Sequence, residues 1–256
     1  MKLIENDKEV YMKALISGRS GSGKSSLAAT APNPLVLLSE RQGGQSILDA
    51  AARLGVPAPQ MLYMETIKDY GAVLKGLQAM ESTGKLTIKE GKDVVLEIDA
   101  PETVVLDSLT DACGLIHAEI FDAVDKPSFK EWGELKKRVS RFIRLFRDLP
   151  CHVLMLCLLD ERTENVDGQE VTVRGPMMPM KSLGNVAMAA STVAGIANRS
   201  MTKQKEGDDI KVVNTFEVAF SGTRVDPIKV HTALASVEEP NFANWIEKIK
   251  SNRRSA

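Results

Sequence analysis

The residues best suited to chemistry stand close to the N-terminus, in the run Gly18-Arg19-Ser20-Gly21-Ser22-Gly23-Lys24-Ser25-Ser26. Four residues separate Gly18 from Gly23, and Lys24-Ser25 follow at once. The apolar stretch Ala14-Leu15-Ile16 precedes this run and Leu27-Ala28-Ala29 succeeds it, so the order is strand, glycine turn, helix. A loop that wraps a chain of phosphates must aim backbone N–H groups inward at short range. Glycine permits both the close approach and the unusual backbone angles. A helix beginning near Lys24 adds unpaired N–H groups and the positive end of its dipole. The spacing predicts a triphosphate site formed by all nine residues from Gly18 to Ser26. In it Lys24 reaches the β- and γ-phosphates and the Ser25 hydroxyl ligates Mg2+.

Two acids are candidates to complete that site. Thr103-Val104-Val105-Leu106-Asp107 is a β-branched run ending in a carboxylate. In an open α/β sheet, ligands gather just beyond the carboxyl ends of the strands, so Asp107 is the expected second Mg2+ ligand, directly or through water. Asp111 is the runner-up, set back by its place in the following helix. The apolar run Leu35 to Leu38 ends in Ser39-Glu40, and the same rule puts Glu40 where a second catalytic group can meet the γ-phosphate, the alternative being that it only begins a solvated loop. Later in the chain Arg224, Asp226 and Lys229 offer charged groups of less certain direction, either toward nucleotide or on the surface.

The elements that must position these residues alternate as a doubly wound fold requires. Helices are expected over Ser46 to Leu54, Ile67 to Met80, Leu115 to Val124, Ser128 to Leu149, Lys181 to Ala190 and Phe242 to Ile249. Buried strands are expected at Leu35 to Leu38, Met61 to Met64, Thr103 to Asp107 and Cys151 to Leu159, the last placed to neighbour the Asp107 strand. Others follow at Thr192 to Ala197 and Asn214 to Phe220. Leu86 to Ile88 and Val94 to Ile98 read as a hairpin inserted at 85–99. Asp160 to Gly168 reads as a polar loop, and Thr202 to Asp209, with Gly207, as a hairpin turn or mobile loop. The expected fold class is α/β, a P-loop NTPase. Its central sheet is mainly parallel, helices flank it, and antiparallel strands are added toward the C-terminus. The core spans 1–240, and a terminal helix and tail, with Arg253-Arg254, spans 241–256.

The helix from Ser128 to Leu149 has two contrasting faces. Trp132, Leu135, Val139, Phe142, Ile143, Phe146 and Leu149 form an apolar stripe, whereas Lys136, Lys137, Arg138, Arg141, Arg144 and Arg147 supply six cations within twelve residues. Such a face either is solvated or tracks a nucleic-acid backbone. The whole chain, 256 residues with net charge −1, has no global basic field, so a polyanion has to be met locally. Cys113, Cys151 and Cys157 follow no disulfide or zinc spacing, and Cys157 is expected to be a small buried hydrophobe. No apolar run approaches the ~20 residues of a membrane span, and Glu5, Asp7 and Glu9 are unlike a signal peptide. A cytoplasmic protein with no membrane partner is the expectation.

A family resemblance rests on an ordered set of these features. It consists of the Gly18-to-Ser25 loop, the strand ending Ser39-Glu40 before Gly43-Gly44, Thr103 to Asp107-Ser108, the Trp132-Gly133 helix, and Leu149-Pro150 leading into His152. Over residues 10 to 235 this resembles the RecA-core ATPases of bacteriophages, also described as phage nucleotide-binding or AAA-type ATP-binding proteins. Some of these are single-strand-annealing recombinases. The resemblance implies ATP and Mg2+ as cofactors, assembly on single-stranded DNA as a ring or filament of like subunits, and strand annealing or pairing in the host cytoplasm. A single-strand-binding or replication protein is an implied partner. It also implies that Glu40 activates the attacking water. The group's usual His or Gln near Leu159 is absent, which leaves two alternatives open. One is an ATPase serving a replication or packaging machine, such as a helicase loader or motor; the other is a non-hydrolysing, nucleotide-dependent assembly module.

Overall fold

The computed structural model describes residues 11–122, 124–206, 209–220 and 229–254. In chain order, β1 (Lys13–Gly18) leads into α1 (Lys24–Ala29), β2 (Pro34–Leu38), α2 (Gly43–Leu54), β3 (Gln60–Tyr63) and α3 (Ile67–Thr83). The hairpin of β4 (Lys85–Glu90) and β5 (Asp93–Asp99) then interrupts the alternation, as the sequence indicates. Next come β6 (Thr103–Asp107), α4 (Leu109–Phe121), α5 (Phe129–Arg147), β7 (His152–Val166), β8 (Gln169–Pro176) and α6 (Lys181–Ala190). The chain finishes with β9 (Val193–Glu206), β10 (Asp209–Ala219), β11 (Val237–Glu238) and α7 (Phe242–Arg254).

The main sheet runs β3-β2-β6-β7-β1-β9-β10-β11. Every neighbouring pair from β3 to β9 is parallel, and β10 and β11 are added antiparallel. Parallel strands need helices on both faces, so their side chains are buried in both directions and the sequence shows unbroken apolar runs. Leu15, Leu35, Leu37, Val104, Leu106, Val153 and Met155 face one layer, packed against Tyr70, Leu77, Cys113, Val139 and Phe146. Their neighbours Ala14, Ile16, Val36, Leu38, Val105, Leu154 and Leu156 face the other, against Leu27, Ile47, Phe242 and Trp245.

Register is what builds the site. Gly18 lies beside Leu158 and Ala197, Leu38 beside Asp107, and Asp107 beside Leu156. The carboxyl ends of β1, β2 and β6 thus finish near one level, with Ala197 of β9 and Leu158 of β7 beside them as those two strands run on. α5 is started by a capping box, in which Ser128 Oγ accepts from the Lys130 N–H at 3.2 Å and Glu131 accepts from the Ser128 N–H at 2.8 Å. Its stripe of Leu135, Val139, Phe142, Ile143 and Phe146 is buried, while Trp132 at the head stays 38% exposed.

The polar segment Asp160 to Gly168 is not a loop. β7 continues as a strand to Val166, turns at Asp167-Gly168, where both residues have positive φ, and pairs with β8 from Asp160↔Gly175 to Val166↔Gln169. One face of this ribbon is half-buried, through Asp160, Arg162 and Glu164 on β7 and Val171 and Val173 on β8, but the β7 positions on that face are charged, so residues 160–166 carry no apolar alternation. Backbone pairing and the ion pairs of Arg162 with Asp160 and Glu164, at 2.8 and 2.6 Å, hold it instead. Likewise β9 extends through Thr202 to Glu206 as a strand against β10, so the turn is shorter than Thr202 to Asp209; Gly207 lies outside the described residues. Cys113, Cys151 and Cys157 are buried and free. Among the described residues no helix is long and apolar enough to cross a membrane.

Candidate functional site

The glycine loop leaves β1 at Gly18 and closes on itself, the Ser22 N–H donating to the Arg19 carbonyl at 3.2 Å. Gly23, just ahead of α1, has φ +95°, and a Cβ there would meet the Phe216 ring at 3.1 to 3.3 Å. Only glycine satisfies both the angle and the space. Ser22 Oγ is buried with no hydrogen-bond partner among the described residues. A buried polar atom left unmatched is a place for a ligand oxygen. Lys24 Nζ donates to the carbonyls of Gly18 at 2.7 Å and Arg19 at 2.9 Å, so its ammonium is drawn in over the rim of the loop. Burial lowers its pKa below the ordinary lysine value, opposed by the charges of Asp107 and Cys157.

The other loop residues divide by their contacts. Ser25 Oγ lies 2.8 Å from Ser46 Oγ at the head of α2, on the Lys24 side of the loop. Ser26 Oγ is taken up by Arg53, which donates to it at 2.9 Å. Arg19 forms an ion pair with Glu161 on the β7–β8 ribbon, whereas Ser20 and Gly21 are exposed at the crest.

Asp107 ends β6 one strand beyond β7, and its carbonyl accepts from the Ser39 N–H at 2.9 Å. Ser39 Oγ in turn meets the buried Tyr70 hydroxyl at 2.9 Å, which pins the turn that carries Glu40. The Asp107 carboxyl is pushed up to about 6. Burial is the main cause, Lys24 opposes it, and the negative charges of Asp111 and Glu40 add to it. Lys24, Asp107, Asp111 and Glu40 therefore share one electrostatic neighbourhood at the carboxyl end of the sheet. Asp111 is occupied locally, since it accepts from the Ser108 hydroxyl and its own N–H donates back to Ser108 Oγ at 3.1 Å.

This strand–loop–helix with its flanking acids lies inside a longer match, to the AAA domain family over residues 11–219. The chain belongs to that family. It is thus a member of the nucleotide-binding P-loop ATPases, with the mainly parallel α/β architecture described above. Among solved structures it is similar to the flagellar accessory protein FlaH from Methanocaldococcus jannaschii, at 13% identity and TM-score 0.32, covering 80% of this chain and 77% of that one. No curated protein matches it.

Of the remaining charged candidates, Lys229 does not reach the site. Lys229 pairs by its backbone with Ala194, and its Nζ donates to the Ser191 carbonyl at the amino end of β9, across the sheet from the loop. Arg224 and Asp226 lie outside the described residues. Level with the carboxyl ends of β1 and β6, β7 carries Leu158 and Leu159 rather than a polar side chain. Thr110 of α4 lies beside them, accepting from the Leu158 N–H at 3.0 Å and donating to the Met177 carbonyl at 3.1 Å.

Three residues near the loop escaped sequence reasoning: Glu161, Arg199 and Phe216. Asn198-Arg199 follows the apolar run of β9 just as Glu40 follows β2, so the rule of carboxyl ends applied to it equally. What hid it was the extension of β9 beyond its buried half.

Proposed function

We propose that this AAA domain binds ATP with Mg2+ through Gly18 to Ser26, hydrolyses it, and works as a recombination protein of the bacteriophage kind that assembles on single-stranded DNA to anneal or pair strands. The observation that carries the nucleotide half is the convergence of Lys24, Asp107 and Glu40 beside a loop with a buried, unmatched Ser22 hydroxyl. Ser25 and Asp107 would hold the cation. Among the described residues no three His, Cys, Asp or Glu side chains gather as a metal cage, and a site of few protein ligands shared with phosphate oxygens and water suits Mg2+. The bound ion would neutralise charge on the phosphate oxygens and fix their orientation.

The chain's own residues do the rest. Lys24 leaves the two loop carbonyls and spreads its charge over the β- and γ-phosphates while the loop N–H groups hold them in place. Glu40 orients a water in line with the γ-phosphorus and takes its proton as the new P–O bond forms. The bond to the β-phosphate oxygen breaks, and ADP departs with the electron pair.

Support for a nucleic-acid partner comes from α5. Lys136, Lys137, Arg141, Arg144 and Arg147 are exposed, and Phe129, 97% exposed, stands with Trp132 at the head of the same helix. Exposed cations beside exposed aromatics suit single strands, whose phosphates and unstacked bases need one of each. Arg138 is drawn to Glu119 and Arg147 to Asp148. A second reading, a module that binds ATP without turnover to set its assembly as a ring or filament, is favoured by the apolar Leu158-Leu159 of β7 beside the carboxyl end of β1.

The test is Mg2+-dependent ATP hydrolysis with and without single-stranded DNA at low and moderate salt, using wild type, Lys24→Ala and the triple variant Lys137→Glu/Arg141→Glu/Arg144→Glu. The account expects stimulation by DNA that weakens with salt and is lost in the triple variant, and no turnover in Lys24→Ala. Turnover indifferent to DNA would overturn the recombination reading; binding without turnover would favour the second.

A further inference from the structure

The parallel pairing of β9 with β1 stops at Ala197, but β9 continues past the phosphate loop, paired only with β10. Two side chains of this extension face the loop. Phe216 packs on Gly23, as the close approach to its ring shows. Arg199, directly across from Phe216 in the register, brings an Nη1 to 3.8 Å from where a Cβ on Gly21 would stand. The guanidinium is held from its other edge. Asn214 Oδ1 accepts from Nε at 3.0 Å and from Nη2 at 2.9 Å.

The two arginines beside the loop differ in their partners. Arg19, inside the loop, is neutralised by Glu161. Arg199 has no acidic partner among the described residues; its fixed partner is a neutral amide, so its full charge faces the loop. A guanidinium clamped along one edge keeps the N–H groups of the other in a planar fork that suits phosphate oxygens. A triphosphate brings more negative charge to the loop than a diphosphate, and Lys24 is a single point charge.

We propose that Arg199 is a second phosphate-binding cation of this site, supplied by the β9–β10 hairpin of the same chain, that selects a nucleoside triphosphate over a diphosphate, with Asn214 as its positioning residue. The proposal rests on the nucleotide reading above and adds to it a source of selectivity that lies outside the glycine loop.

Equilibrium binding of fluorescently labelled ATP and ADP, each with Mg2+, tests it on wild type, Arg199→Ala, Arg199→Lys and Asn214→Ala. Losing a charge-assisted contact made only to the triphosphate should weaken ATP about tenfold or more and ADP by less than about threefold. Arg199→Lys should keep part of the preference. Asn214→Ala should lower the ATP-to-ADP ratio while leaving thermal unfolding unchanged, which a merely structural role would not do. If wild type binds neither nucleotide, the underlying reading fails and this one with it. If wild type binds both and Arg199→Ala weakens them equally or not at all, only the Arg199 assignment is overturned. Should Arg199→Ala not fold, an unaltered ATP-to-ADP ratio in Arg199→Lys and Asn214→Ala together overturns it.

Discussion

Asp107 shows how burial sets the charge state of a single side chain. In the free protein its carboxyl is pushed up to about 6 from the usual 3.8, with burial ahead of the charges of Asp111 and Glu40, and Lys24 pulling the other way. A folded state that holds the proton more tightly than the unfolded chain gains stability below pH 3.8, and loses it as pH rises through about 6. At pH 7.5 the ionised carboxylate costs at most about 3 kcal/mol. In protein free of nucleotide and metal, Asp107→Asn should be more stable at pH 7.5, and the change in stability between pH 4 and pH 7 should shrink. Urea unfolding across that range measures both. An asparagine variant as pH-sensitive as wild type would show that the carboxyl is not strained by its surroundings. Asp107 itself was legible in sequence as an acid ending an apolar strand. Its raised pKa was not, because that depends first on how deeply the assembled sheet buries it, and then on Asp111 and Glu40 outweighing part of the pull of Lys24.

Among elements, the strand–loop–helix unit was the most legible and the ribbons beside it the least. Gly-x4-Gly-Lys-Ser carries its own geometry, since glycine is demanded by backbone angle at Gly23 and by the ring of Phe216. Gly23→Ala should therefore cost about 1–2 kcal/mol of stability from the left-handed backbone alone, together with most nucleotide affinity through displacement of Phe216 or the loop. Thermal unfolding and ATP titration of the variant check the two effects. A variant that melts and binds as wild type would mean that the loop tolerates a different path. Asp160 to Gly168 was misread because the half-buried face of its strand is built from Asp160, Arg162 and Glu164, which pair with one another and leave no apolar alternation to read. Its one local signal was Asp167-Gly168, a hairpin turn pair with positive φ at both residues. The helical face of α5 was read correctly except at Trp132. That ring leans on Phe121 and His117 at the rim, with centroids 4.7 and 6.2 Å away, rather than entering the core.

At the scale of the molecule, the sheet order is the device that assembles the site. β7 separates β1 from β6, and β6 separates β7 from β2, yet their shared register brings Gly18, Asp107 and Leu38 to one edge. Residues 24, 40 and 107 are remote in sequence, and their meeting depends on the parallel crossovers and the two apolar layers beneath them. The alternation of strands and helices made the fold class readable. The strand order was readable only in part, since only the contact between β6 and β7 had been anticipated. The β9–β10 extension, placed over the loop by the same sheet, was hidden by its polar outer half. The claim on which all of this turns is that the edge binds ATP. The most direct measurement is calorimetric titration of Mg2+-ATP into the wild-type protein and into Lys24→Ala, with thermal unfolding as a control for folding. The account predicts saturable, one-site binding by wild type and its loss in a folded Lys24→Ala variant. Equal binding by the two would contradict it.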